Sequence, residues 1–491
     1  MENVSNTVKK TNGKYPEKIL QFGEGNFLRA FADWMIDEAN DRGDYRGSIV
    51  LCQPISQGAK IAELFERQKG IYTLVMRGIE QNEAVEKAKV ITSVSRCINA
   101  YDNFDQLLEI ARSADLEVVI SNTTEAGIVY REGDKVTDCP PASFPAKVCV
   151  LLYERFKAFH GEMDKGLLFL PVELIDNNGG ELKRIILQYA DEWQLGEAFI
   201  SWVKEANKFT STLVDRIVTG FPGDQIEYFQ EKLGYEDNLI VTSEIFNLWV
   251  IEGKPEWAGI IPIHKGKANV LWTEDVTPYK MQKVRILNGG HTATVLAAYL
   301  SGCDIVLDFM KDEVFRTYLK QLLFDEVIPT IPLPEAELKK FAEAVCDRFA
   351  NPFIKHKLLD ISLNSCAKFL ARCVPSLLAY QEMKGELPKI MTFAMAAFIQ
   401  FYKGEKKSEG YIGTRADQTV YQIKDDQEVI DFFAAVWAAG DVEQIARKVL
   451  ANKEFWGGRD LTRIDGLDAA VAGHLKAMQM KPVVDVIKEL L

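Results

Sequence analysis

The sequence predicts an α/β protein whose first part is a doubly wound, largely parallel sheet and whose second part is mostly α-helical. Three observations lead there. A short apolar strand near the N-terminus runs into a glycine turn and then a helix, further apolar runs alternate with amphipathic helical patterns, and beyond about position 280 long helical patterns take over. Strands that alternate with helices build parallel sheets, because a crossover helix must carry the chain back to the end where the previous strand began. The 491 residues exceed the roughly 250–300 over which one hydrophobic core keeps growing, so more than one domain is expected.

Lys18-Ile19-Leu20-Gln21-Phe22 reads as the first strand and enters Gly23-Glu24-Gly25-Asn26 directly; Phe27, Ala30, Phe31, Trp34 and Met35 then recur at helical spacing until Gly43 breaks the chain. Ser48-Ile49-Val50-Leu51-Cys52 and Glu117-Val118-Val119-Ile120-Ser121 read as buried strands, the latter preceded by an amphipathic helix with Phe104, Leu107 and Leu108. Leu167-Leu168-Phe169-Leu170 and Leu239-Ile240-Val241 continue the series. In the second part, Met391 to Tyr402 and Val429 to Ala439 are helical patterns. The polar stretch from His264 to Ala268, and Thr273-Glu274-Asp275 before Pro278, place the domains at 1–275 and 276–491.

Composition narrows the partners. Acidic side chains number 71 against 58 basic ones, a formal charge of −13, with no long basic run to track a phosphate backbone, which argues against nucleic acid. An anionic small molecule stays compatible, since only the field inside its cleft matters. The eight cysteines are scattered without close pairs and read as reduced thiols. The polar first residues lack the apolar core of a secretion signal, and no apolar stretch approaches the roughly 20 residues that span a bilayer, so a cytoplasmic protein without a membrane partner is expected. His160, His264, His291, His356 and His474 are well separated and form no His-x-x-x-His pair, which disfavours a catalytic zinc. Oligomeric state is not indicated.

Three segments can carry chemistry. Gly23 and Gly25 fill the first two glycine positions of a dinucleotide fingerprint, where backbone N–H groups approach a pyrophosphate, but Leu28 stands where the third would be. Alone, the turn is equally compatible with a tight connection. The usual acidic residue after the second strand is replaced by Gln53 and Pro54, so the strand does not read NAD against NADP. Ser121-Asn122-Thr123-Thr124-Glu125-Ala126-Gly127 follows a strand, where α/β sheets bind ligands, and it also reads as a helix N-cap. In Lys283-Val284-Arg285-Ile286-Leu287-Asn288-Gly289-Gly290-His291, about 100° per residue would hold Lys283, Asn288 and His291 within roughly a 140° arc. A lysine acting on a carbinol proton needs its pKa depressed from about 10.4, by burial or by a cation such as Arg285. An amide such as Asn288 suits a developing alkoxide.

These segments bring a family into view. Phe22-Gly23-Glu24-Gly25-Asn26-Phe27-Leu28-Arg29-Ala30-Phe31, Ser121 to Gly127, Val214-Asp215-Arg216-Ile217 and Lys283 to His291 together resemble the mannitol dehydrogenase family of long-chain polyol and sugar-acid dehydrogenases, in the family's order and across most of the chain. Leu213 to Gly220 and Asn351-Pro352-Phe353-Ile354-Lys355-His356 resemble its sugar-acid branch. The resemblance implies a Rossmann-type domain that binds NAD, a helical C-terminal domain, and interconversion of a ketohexuronate and a hexonate. It maps Lys283 onto a metal-independent acid/base, Asn288 and His291 onto the amide and imidazole of the motif, and Asp215 onto an aspartate near the substrate. Phe22, Gly23, Gly25, Asn26, Phe27, Arg29, Asn122, Thr123 and Glu125 fall on the cofactor-binding segments. Read without the resemblance, Asp215-Arg216 is an ordinary ion pair at a helix end.

One departure is visible. Polyol-oxidising members carry Asp-Asn where this chain has Glu173-Leu174, and leucine cannot donate to an oxyanion; Asn177 or Asn178 is the nearby substitute. For the carboxylate that a hexonate adds, Lys355, Lys368 and Arg372 are candidates, each of which alone reads as a solvated surface charge. Substrate stereochemistry, altronate or mannonate, stays open. From another class, the chain reads as a nucleotide-binding sensor without turnover, against which the intact set of Lys283, Asn288 and His291 stands.

Overall fold

The first apolar segment lies in the middle of a six-stranded parallel sheet. The structure, a computed structural model, describes residues 1–55, 59–123, 126–408 and 410–491. They divide into one unit of Met1–Gly78 with Val85–Val276 and another of Ile79–Ala84 with Thr277–Leu491.

The strands of the first part are β1 (Glu17–Phe22), β2 (Ser48–Gln53), β3 (Tyr72–Glu80), β4 (Glu83–Ile91), β5 (Val94–Asn99), β6 (Val118–Ser121), β7 (Leu168–Pro171), β8 (Lys208–Phe209), β9 (Ser211–Asp215), β10 (Val218–Gly220), β11 (Val241–Glu244), β12 (Leu248–Glu252) and β13 (Val270–Thr273). The main sheet runs β5-β2-β1-β6-β7-β8 with parallel pairings throughout. The chain starts at β1, builds outward through β2 and β5, then returns to β1's other side at β6. The strand order therefore reverses between β1 and β6, the place where open α/β sheets leave a crevice at their carboxyl ends.

Both faces of this sheet are covered, which explains its continuous apolar runs. Ile19, Ile49, Leu51, Val118, Ile120, Leu168 and Leu170 face one hydrophobic cluster, with Phe31, Met35 and Ile36 of the helix Ala32–Asp41. Leu20, Phe22, Val50, Cys52, Val119 and Phe169 face the other, with the helices Phe104–Ala111, Phe144–Ala158, Asn178–Glu192 and Glu197–Ala206. Buried Arg155 closes the lower edge of that layer, donating to the carbonyls of Ala111, Ser113, Leu116 and Lys165 at 2.6–2.9 Å.

Two features differ from the expectation. The run Leu239-Ile240-Val241 leads into β11, which belongs to a separate mixed sheet ordered β10-β11-β3-β4, and β13-β12-β9 form a third. Apolar strand runs alone do not say which sheet a strand joins. The helix after the glycine turn is also broken: Asn26–Arg29 ends at Ala30, and a second helix starts at Ala32.

In the second unit, the helix Gly289–Leu300 is buried almost all round, as a central helix must be, and so is Lys389–Phe401. Two turns are π-helical, Lys283–Asn288 and Leu322–Val327. Glu326 in the latter accepts from the backbone N–H groups of Ile390 and Met391 at 2.7 and 2.8 Å, closing the open end of the Lys389 helix. A small antiparallel sheet, β14 (Gly404–Lys407), β15 (Gly410–Thr414) and β16 (Val420–Ile423), interrupts the helices. Its strands are four or five residues long, too short to stand out from a helical background. Among the described residues, no helix is long and apolar enough to cross a membrane.

The Ala32–Asp41 helix carries an unusual buried acid. Asp33 is fully enclosed, its carboxylate 2.8 Å from the Tyr72 hydroxyl, and burial pushes its pKa up to about 7. Because folded Asp33 holds its proton more tightly than the unfolded chain does, its contribution to stability falls as pH rises from about 4 through about 7. Asp33→Asn removes that slope. The difference in unfolding free energy between variant and wild type, from urea titration, should move in the variant's favour by about 2–3 kcal/mol between pH 5 and pH 8; a difference that does not change with pH would show that Asp33 is not the titrating group.

Candidate active site

The loops after β1 and β6 flank the crevice of the first unit and are tied to each other. The Gly23 N–H donates to Cys52 O (2.9 Å), and the Asn122 N–H donates to Phe22 O (3.0 Å). Gly23 has φ +115°, and a Cβ there would sit 3.0 Å from the Asn122 carbonyl oxygen, so the turn needs glycine both for its backbone conformation and for the close approach. Gly25 has an ordinary φ of −65°, and a Cβ there would meet nothing within 4 Å: the space in front of it is open. Gly25 and Asn26 are exposed, while Phe27, Asn122 and Thr123 are partly so. Phe22 lies in the core against Phe144, leaving only its backbone at the crevice.

Arg29 turns inward. Its guanidinium donates to Leu239 O (2.6 Å) and Asn26 Oδ1 (2.6 Å) and lies over the Tyr72 ring, where it orders the turn from behind. Glu125 lies outside the described residues. At the end of β2, Gln53 is completely buried, and neither atom of its amide has a hydrogen-bond partner among the described residues. It occupies the strand end where dinucleotide-binding sheets read the adenosine ribose.

The Glu173 carboxylate, buried at the end of β7, holds the β6 loop: it accepts from Ser121 Oγ (3.1 Å), Thr123 N (3.0 Å) and Thr123 Oγ1 (2.9 Å), and burial raises its pKa. Its neighbour Leu174 is 61% exposed. Asn178 is occupied structurally, donating to Pro171 O and Glu173 O and accepting from Gly179 N and Thr212 N. Its amide has no capacity left for a substrate, whereas Asn177 stands exposed in the left-handed conformation just before it. Asp215 is buried at the end of β9, opposite Leu248. Arg216 spends its donors on the carbonyls of Glu244 and Ala30.

In the second unit, Lys283 opens the π turn and Asn288 closes it. The spacing of about 100° per residue assumed from sequence does not apply here. A π turn bonds i to i+5, which aligns positions 283 and 288 along the helix axis more closely than an α-helix would, and such turns concentrate at functional sites. His291 follows in the first turn of the Gly289–Leu300 helix. Its ring stacks on Phe349 (3.8 Å, 14°) and meets His356 edge-on (5.5 Å). Burial first, and then the charges of His356, Arg348 and Arg372, hold its pKa well below the ordinary value, so the imidazole is neutral. Arg285 donates to Thr330 O (3.0 Å). Gly289 lets the end of the Ser365–Arg372 helix pack against the turn: a Cβ there would lie 3.1 Å from Arg372 O. Among the described residues, no group of three or more His, Cys, Asp and Glu side chains is placed to hold a metal ion.

The pattern of the mannitol dehydrogenase Rossmann domain matches residues 17–265, and that of the mannitol dehydrogenase C-terminal domain matches residues 275–479. The chain belongs to the mannitol dehydrogenase family. An Escherichia coli relative named altronate oxidoreductase is 44% identical over 483 residues, 97% of each chain. Among solved structures, the Pseudomonas fluorescens mannitol 2-dehydrogenase ternary complex with NAD and D-mannitol aligns with a TM-score of 0.66 at 22% identity, over 100% of this chain and 99% of that one. A D-sorbitol dehydrogenase in substrate-free form reaches 0.80 at 20% identity, over 99% and 100%. Both show the same fold.

Of the carboxylate candidates in this mannitol dehydrogenase family member, Lys355 is exposed on a loop, whereas Lys368 and Arg372 are partly buried one helical turn apart. Arg372 Nη1 donates to Thr292 Oγ1 (3.2 Å), beside His291. Arg348 and His356 were not singled out as binding residues from sequence. They lie 57 and 65 positions beyond His291, and only their place in or next to the Asn351 to His356 segment hinted at them.

The two glycines separate fold from binding. Gly23→Ala should lower the melting temperature, its strained φ and close contact costing about 1–3 kcal/mol. Gly25→Ala should keep the wild-type melting temperature yet weaken binding of a nicotinamide dinucleotide by about tenfold, because its methyl takes space the backbone leaves open. Tryptophan-fluorescence titration reads the second effect, and wild-type affinity in Gly25→Ala would refute it.

Proposed function

We propose that the protein is an NAD-dependent altronate oxidoreductase, reducing D-tagaturonate to D-altronate reversibly, with Lys283 as acid/base. The observation that carries this reading is the π turn that brings Lys283 and Asn288 into line, followed by a neutral His291. The relative named altronate oxidoreductase supports the substrate.

The residues of the first unit fit a dinucleotide. The open space over Gly25, the glycine conformation at Gly23 and the orphaned Gln53 amide suit a pyrophosphate turn and an adenosine ribose. Gly23, Gly25 and Asn26 would hold the phosphates, with Asn122 and Thr123 on the other lip of the crevice. NADH bound there supplies the hydride.

Lys283 donates a proton to the ketone oxygen during reduction and takes it from the hydroxyl during oxidation. Asn288 donates its amide N–H to the same oxygen as negative charge develops there. His291, kept neutral by burial and by its cationic neighbours, orients the substrate hydroxyl through a hydrogen bond and does not compete as a proton donor. Asp215 is assigned to the substrate side of the first unit. Arg29 and Asn178 are assigned to the scaffold, because Arg29 is buried with both terminal nitrogens bonded and the amide nitrogen of Asn178 bonds backbone carbonyls.

Consumption of NADH with D-tagaturonate, followed by loss of reduced-nicotinamide absorbance, tests the activity; turnover of D-fructuronate in preference would reassign the substrate, and binding without turnover would favour a sensor. Lys283→Ala should lower kcat on the order of 10³-fold with NADH affinity retained. Activity should survive a chelator. Near-wild-type kcat in Lys283→Ala, or loss on chelation restored by added metal, overturns the mechanism.

A further inference from the structure

The second unit collects positive charge around His291. Four cationic or potentially cationic groups converge there from three separate segments: Arg348 at the end of the Glu335–Phe349 helix, His356 on the following loop, and Lys368 and Arg372 on the Ser365–Arg372 helix. The packing is specific. Phe349 stacks on His291 and so delivers Arg348, His356 meets the same ring edge-on, and Gly289 admits the Arg372 backbone to van der Waals distance.

Their charges act on one another. His356, Arg348 and Arg372 disfavour a proton on His291, Lys368 disfavours one on His356, and Arg372 disfavours one on Lys368. Lys368 and Arg372 stand at i and i+4, where like charges repel. Among the described residues, neither forms an ion pair with a carboxylate. Among the described residues, Asp360 acts on His356, and Asp425 acts on Lys368 but already accepts from the Tyr402 hydroxyl and from Cys366 N. Arg372 gives one hydrogen bond, to Thr292 Oγ1, and Lys368 gives one, to Ile361 O, so both keep donors in reserve.

Two neighbouring cations, Lys368 and Arg372, that meet no carboxylate among the described residues cost free energy unless a ligand carries the opposite charge. We infer that Arg372, with Lys368 beside it, reads the carboxylate of the sugar acid and is the determinant that makes this site choose an acid over the corresponding neutral sugar. The guanidinium suits this task because its planar fork matches a carboxylate through two parallel hydrogen bonds, and Thr292 fixes the orientation of that fork next to His291. Lys368 adds a point charge on the same helix face. The inference rests on the sugar-acid reading given above and names the residues that enforce it.

The test compares D-tagaturonate with D-tagatose, which lacks the carboxylate, in wild type, Arg372→Ala, Arg372→Lys and Lys368→Met. The ratio of kcat/KM values for acid over neutral sugar should fall on the order of 10²-fold in Arg372→Ala, through KM, with partial recovery in Arg372→Lys and a smaller loss in Lys368→Met. Calorimetric titration of D-altronate into the protein with NAD present reads the same contact without turnover, and Arg372→Ala should weaken that binding comparably. Equal losses for tagaturonate and tagatose would make Arg372 merely structural and overturn the inference, as would unchanged altronate affinity in Arg372→Ala. Altronate binding that depends on Arg372 in a protein that turns over neither ketohexuronate would uphold the carboxylate site while refuting the proposed reaction.

Discussion

Buried backbone outside helices and sheets must find hydrogen-bond partners, and in this protein buried charged side chains supply them. Arg155 takes four carbonyls at the entry to β6 and β7, Arg216 takes those of Glu244 and Ala30, and Arg29 takes that of Leu239. On the acceptor side, Glu173 holds the Thr123 N–H, Glu244 holds that of Ile217, and Glu326 holds those of Ile390 and Met391. Each charge loses hydration on burial and recovers part of it through charge-assisted bonds, so removing one would strand several polar groups at once. The described residues of the irregular segments that carry the candidate chemistry are thereby bonded to the core at several points.

This constraint explains why some residues in the family's most recognisable segments do not face a ligand. Arg29 sits in the glycine-turn segment and Asn178 beside the departure at Leu174, yet Arg29 bonds Leu239 O and Asn26 Oδ1 and Asn178 bonds the carbonyls of Pro171 and Glu173. They hold the loops whose exposed members, Gly25, Asn26, Asn122 and Thr123, border the crevice. Glu173 belongs with them: standing where polyol-oxidising relatives have aspartate, it ties β7 to the loop after β6. A segment can be recognisable because it builds a site without every residue in it touching what the site binds.

The sequence carried the sheet well, because a parallel sheet covered on both faces leaves unbroken apolar runs, and β1, β2, β6 and β7 lie where those runs placed them. It carried the two extra sheets of the first unit poorly. Their strands look the same locally, and sheet membership is a matter of long-range pairing. The π turn was not legible either, since i to i+5 bonding leaves no periodic signature in six residues. Neither was the convergence on His291: Arg348, His356, Lys368 and Arg372 are separated from it by 57 to 81 positions, and only the stacking of Phe349 and the close approach at Gly289 bring them together.

The overall charge of the chain, −13, and the cationic cluster around His291 answer different questions. Net charge governs solubility and the long-range field, which salt screens beyond about 8–10 Å. Within a partly buried group of side chains the near charges dominate, and the excess of acids elsewhere on the surface does little to offset them. Burial, and after it the same cations that would draw a carboxylate, keep His291 without a proton. In the proposed mechanism, a charged imidazole would compete with Lys283 as the acid and repel the ammonium form that reduction requires. In the proposed mechanism, recognition of an anionic substrate and assignment of the proton to lysine would both draw on one distribution of charge.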